Sequence, residues 1–116
     1  MPDRPTNSYV GQQIAAISRW VDDAPANAAR DREARAWGRL AKITEEAGEV
    51  IAAFIGATAQ NPRKGQTHVL ADVQKELLDV AATALAAYEH LTGNKGTSME
   101  AFAEHVAYLA ERAGAR

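Results

Sequence analysis

Glu46-Ala47-Gly48-Glu49 and Glu76-Leu77-Leu78-Asp79 are the two segments that decide how this chain folds. Each holds two acids at i,i+3 spacing, and on a helix that spacing sets both carboxylates on one face. Twenty-six residues separate Glu49 from Glu76, and the interval contains Asn61-Pro62-Arg63-Lys64-Gly65. Proline and glycine there work against continuing a helix. Both acid pairs are centred on one point of that breaker, between Pro62 and Arg63. An antiparallel helical hairpin turning at that point sets Glu49 opposite Glu76 and Glu46 opposite Asp79. Four carboxylates facing one another repel unless a cation lies among them.

Outside the acid pairs the pattern stays helical. The spacing of Val10, Ile14, Ile17 and Val21, with Trp20 beside them, predicts a first helix over residues 8–23. Pro25 and Asn27 interrupt it. A second helix is expected over 29–58, with Trp37, Leu40, Ile43, Val50, Ile51, Phe54 and Ile55 as its core stripe. Gly38, Gly48 and Gly56 lower its intrinsic helicity, so packing has to hold it. At Gly48 the missing side chain lets another helix come near. A third helix is expected over 68–91, with Leu70, Val73, Leu77, Ala81, Ala84, Tyr88 and Leu91 on one face. Gly93-Asn94-Lys95-Gly96 stops it. Thr97, with Glu100 three residues later, forms a capping box that opens a fourth helix running to about residue 112. Met99, Phe102, Val106 and Leu109 are its inward positions. No period-2 alternation, internal repeat or second domain is evident. The expectation is an all-α protein: a four-helix bundle with a central antiparallel hairpin, one domain over 8–116 behind a loose arm at 1–7.

Composition narrows the function. A formal net charge of -2 gives no basic footprint for a nucleic acid polymer. The absence of cysteine excludes disulfides and thiolate metal sites. Residues 1–5 lack the basic-then-apolar layout of a signal peptide. The most apolar stretch, 80–88, is too short to span a bilayer. A soluble cytoplasmic protein with no membrane partner is the expectation.

Carboxylate-rich sites without cysteine or histidine select hard cations. Mg²⁺ comes first, since it takes oxygen ligands and keeps waters and substrate phosphates in its shell; Mn²⁺ suits similar ligands. The two acid pairs have room for one such ion or two close together. An ion held there clamps phosphate oxygens and lowers the pKa of a bound water. Glu45 lies about 100° around the helix from Glu46, a direction that addresses a second ion or a water. Lys42 suits either contact with a substrate phosphate or neutralisation of the acidic cluster. Lys75 suits a phosphate contact or a surface salt bridge, and Asp72 and Thr83 extend the acidic face by a turn in either direction. Arg63 and Lys64 lie roughly 20 Å along the hairpin from the acids and read as solvated loop charges. Trp37 and Tyr88 read as core or as stacking partners for a base. His68, His90 and His105 read as surface or cap residues, and none follows a glutamate at the E-x-x-H spacing of di-iron carboxylate bundles. A non-catalytic helical interaction module, whose acids merely keep it soluble, is the alternative.

Thr44-Glu45-Glu46-Ala47-Gly48-Glu49-Val50 and Lys75-Glu76-Leu77-Leu78-Asp79-Val80 resemble the two signature segments of the MazG-like all-α nucleotide pyrophosphohydrolases. That superfamily includes dimeric dUTPases and phosphoribosyl-ATP pyrophosphohydrolases. Its pattern is E-x-x-E, a helix–loop–helix interval, then E-x-x-D, and the resemblance covers about residues 37–92. It implies hydrolysis of the α–β phosphoanhydride of a nucleoside triphosphate to the monophosphate and pyrophosphate. It implies Glu46, Glu49, Glu76 and Asp79 as Mg²⁺ ligands, and Glu45 as the group that orients or deprotonates the attacking water. A homodimer or homotetramer and a role in clearing non-standard nucleotides are further implications of the same resemblance.

Overall fold

The computed structural model describes residues 4–115. Its elements are α1 (Asn7–Asp23), α2 (Pro25–Ala28), α3 (Arg32–Ala57), α4 (Leu70–Thr92) and α5 (Ser98–Ala113), with no strand among the described residues. The protein is all-α. Of the expected arm, residues 1–3 lie outside the described residues, 4–6 are non-helical, and Asn7 already belongs to α1.

The four long helices fall close to the predicted spans, and α2 is additional. Ala24 leaves the helical region, and Pro25 then starts a single turn as its first residue. The Asn27 amide donates to the Val21 carbonyl at 2.8 Å and ties this turn back to α1. The expected second helix therefore begins at Arg32, three residues late.

Contacts divide the described residues into two compact units, those up to residue 31 with those from 85 onward, and residues 32–84. In the first, α1 packs against α5. Thr6 caps α1 by accepting from the Tyr9 N–H at 3.1 Å. Gly11 is buried against the Gly96 carbonyl, and a Cβ at this position would collide with that backbone. Gln12 and Arg19 donate to the carbonyls of Lys95 and Asn94 at 3.4 and 3.1 Å, fastening α1 to the turn after α4. Asp22 adds a polar tie, accepting from His90 Nδ1 at 2.9 Å and from the Asn94 amide at 3.4 Å. Gly93 and Asn94, both at positive φ, end α4 as predicted, and the Asn94 N–H returns to the Glu89 carbonyl at 2.7 Å.

The predicted capping box does not form. Thr97 makes no side-chain cap and sits at φ -104, ψ 8, outside the extended region an N-cap needs. Glu89 takes its place. Its fully buried carboxylate accepts from the N–H groups of Gly96 and Ser98 at 2.9 and 2.8 Å. A donor at the start of α5 is thus satisfied from α4 rather than locally.

The second unit is the hairpin of α3 and the beginning of α4. The Thr67 N–H reaches the Gly56 carbonyl at 3.0 Å, closing the connection. Gly56 is buried because the side chains of Thr67 and His68 occupy the space a Cβ would need. Within the turn, Asn61 accepts from the N–H groups of Arg63, Lys64 and Gly65. Asp72 accepts from the Val69 N–H at 2.9 Å and caps α4.

The apolar stripes are helical, but most of their large side chains are not covered. Trp37 is 67 % exposed and Leu78 72 %, and Trp20, Ile51, Phe54, Leu77, Tyr88 and Phe102 are exposed as well. Among the described residues the buried apolar side chains are Ile14, Ala15, Ala53, Ala86 and Ala87. Periodicity identifies the face of a helix that seeks cover; it carries no information on what supplies that cover.

Candidate metal centre

The centre belongs to the second unit. Helix α3 carries Lys42, Glu46 and Glu49 on successive turns of one face, and the chain reversal brings Glu76 of α4 against them. Glu46, Glu49 and Glu76 each offer one carboxylate oxygen, and these three atoms lie within 4.8 Å of one another. Glu46 and Glu76 are half-buried, while Glu49 is exposed. Glu76 Oε2 is shielded from solvent and has no hydrogen-bond partner.

Crowding shows in the protonation of Glu49. The neighbouring Glu46 charge holds its carboxyl above the ordinary range. A smaller desolvation acts in the same direction, followed by hydrogen bonding to Glu46, then by the charge of Glu76 and hydrogen bonding to it. One edge of the cluster is neutralised internally. Lys42 Nζ lies 3.2 Å from Glu45 Oε1 and 3.3 Å from Glu46 Oε1. These contacts, Glu45 first and Glu46 second, raise the Lys42 ammonium above its usual pKa against a small desolvation.

The remaining sequence-derived candidates divide. Asp79 is half-buried one turn after Glu76, outside the converging trio. Thr83 is half-buried one turn further on, and Lys75 is exposed beside Glu76. Glu45 is exposed and directed to Lys42. Asp72 serves the end of α4 as its cap. Arg63 and Lys64 are exposed in the turn, Trp37 and Tyr88 are exposed, and His68 is exposed with Nδ1 2.9 Å from the Thr67 hydroxyl. His105 is exposed and stacks on Tyr108, and His90 pairs with Asp22.

Three oxygen donors converge, one is accompanied by a shielded oxygen with no partner, and one carboxyl is pushed toward its protonated form by the others. This donor set fits a hard divalent cation, which would relieve the repulsion and take up the orphaned oxygen. One feature escaped the sequence reading: Glu76 meets Glu46 as well as Glu49, where one-to-one pairing was expected. Lys42 reaches Glu45 and Glu46 together, which is the neutralising contact its i,i+3 and i,i+4 spacings allow. Comparison of the chain with family models, with curated proteins and with solved structures returns no match.

Proposed function

We propose that this chain is a Mg²⁺-dependent nucleoside triphosphate pyrophosphohydrolase of the MazG-like kind. The observation that carries the proposal is the convergence of Glu46, Glu49 and Glu76 across a helical hairpin. In this reading the three glutamates hold Mg²⁺ or Mn²⁺, with Asp79 as a fourth acidic ligand. The bound cation supplies charge neutralisation on the phosphates and an acidified water. Glu45 would orient or deprotonate the attacking water, and Lys42, Lys75 and Thr83 would meet the phosphate chain. The product pair is the nucleoside monophosphate and pyrophosphate, in keeping with cytoplasmic clearance of unwanted nucleotides. Among the described residues no helix is long and apolar enough to cross a membrane.

The working form is a homodimer or homotetramer, with the all-α chain read as a four-helix bundle. Support comes from the alanine-dominated buried set and from exposed stripes on α3 and α4. A lone chain with so little buried apolar volume gains little from the hydrophobic effect.

A second reading, a passive helical module, draws on the Lys42 contacts, which already soften the acidic cluster. Pyrophosphate release from a panel of canonical and modified nucleotides with Mg²⁺ separates the two. The enzyme reading predicts release from at least one nucleotide, with Glu49→Gln and Asp79→Asn each lowering kcat by about 100-fold. No release from any nucleotide would favour the passive module, and release at wild-type rates by both variants would overturn the assigned site.

A further inference from the structure

Glu46 belongs to two arrangements at once. Its carboxylate contributes an oxygen to the trio with Glu49 and Glu76. It also receives the ammonium of Lys42, one turn earlier on α3, at 3.3 Å. The Glu46 side chain is 13 % exposed and that of Lys42 47 %, so the ammonium comes to a covered carboxylate on a solvent-exposed stem. Glu45, with its side chain 61 % exposed, gives the same ammonium a second seat at 3.2 Å, outside the trio.

A divalent ion and an ammonium on the one Glu46 carboxylate repel each other. Mg²⁺ binds carboxylate oxygens at roughly 2.1 Å, and the Lys42 charge would then lie only a few ångströms from it. We infer that Lys42 is a tethered stand-in for the cation, neutralising Glu46 in the metal-free chain and leaving it when the metal loads. The displaced ammonium stays near Glu45, beside the metal, where an incoming phosphate chain meets it. Free metal therefore has to displace Lys42 for no return, whereas metal arriving with phosphate gains the ammonium as a partner. Lys42 in this way biases the site toward the metal–polyphosphate complex over the bare ion. The inference rests on the trio being a metal site.

Mn²⁺ binding, followed by the loss of its free-ion paramagnetic resonance signal, tests it. Wild-type, Lys42→Met and Lys42→Arg chains are titrated first with Mn²⁺ alone by this signal, and then with the preformed Mn²⁺–tripolyphosphate complex by isothermal titration calorimetry. Circular dichroism checks that each variant stays helical, and Lys42→Gln replaces the methionine variant if it does not. Lys42→Met is expected to bind Mn²⁺ alone about threefold to tenfold more tightly than wild type, and the Mn²⁺–tripolyphosphate complex several-fold more weakly. Lys42→Arg is expected to follow wild type in both. Binding of Mn²⁺ by Lys42→Met at or below the wild-type affinity overturns the stand-in role while leaving the metal site in place. Unchanged tripolyphosphate binding overturns the coupling. A wild-type chain that takes up no Mn²⁺ removes the metal site, and this role with it.

Discussion

Glu49 is the residue on which folding and function conflict. Its carboxyl is raised above the ordinary 4.5, first by the Glu46 charge, so the folded chain binds that proton more readily than the unfolded chain does. By linkage, metal-free stability from this group is greatest below about pH 4.5 and is lost as pH rises through the raised folded value. Glu49→Gln removes the repulsion. Thermal unfolding in chelator near pH 7 should give a higher Tm for Glu49→Gln than for wild type. Added Mn²⁺ should raise the wild-type Tm and leave the variant nearly unmoved. A Glu49→Gln chain that melts lower in chelator would mean the acids are not crowded. Much of this site is legible from residue spacing alone, because i,i+3 pairs equidistant from a breaker must approach when the chain reverses. The finer arrangement was not. Helical spacing sets the face a side chain occupies, while its rotamer is chosen by neighbours the spacing does not specify. Hence Glu76 reaches both α3 acids and Asp79 stands outside the trio.

At the scale of the element, α5 shows how a helix end can be decided elsewhere in the chain. Thr97 and Glu100 have the local signature of a cap, yet Glu89 of α4 supplies it. Burial alone would push the Glu89 carboxyl up. The Ser98 hydroxyl beside it, the N–H groups of Gly96 and Ser98, and the more distant Arg19 charge outweigh that, and the net direction is down from 4.5. The folded value is therefore below the unfolded one. Glu89 contributes stability above about pH 4.5, and that contribution is lost as pH falls through the folded value. Glu89→Ala leaves two buried N–H groups without an acceptor and should cost about 2–3 kcal/mol at pH 7 in denaturant unfolding. Glu89→Gln retains one acceptor oxygen, so it should cost less and flatten the acid limb of the stability profile. Equal stability of wild type and Glu89→Ala would show that the turn after α4 closes without this carboxylate. A cap delivered from another helix through a tertiary contact leaves no local sequence signal. The one-turn α2 escaped for a different reason: Pro25 reads as an interruption and serves equally well as a first helical residue.

For the whole molecule the decisive fact is the small buried apolar set, four alanines and Ile14 among the described residues. Alanine brings helices close but buries little area, so the amphipathic helices of one chain leave their larger side chains uncovered. The all-α class was legible because every stripe keeps helical spacing. Burial was not, because spacing does not specify what covers a face. Self-association predicts that light scattering across protein concentration will give a dimer or tetramer mass. It also predicts that Ile51→Asp with Leu77→Asp will shift the mass toward monomer and lower the Tm by several degrees. A wild-type chain that stays monomeric and melts cooperatively at every concentration would contradict it.

The most direct test of the central claim is anomalous scattering from a crystal grown with Mn²⁺. A metal held by the trio gives one strong peak at roughly 2 Å from carboxylate oxygens of Glu46, Glu49 and Glu76. Well-ordered density for those three side chains with no peak among them would contradict it.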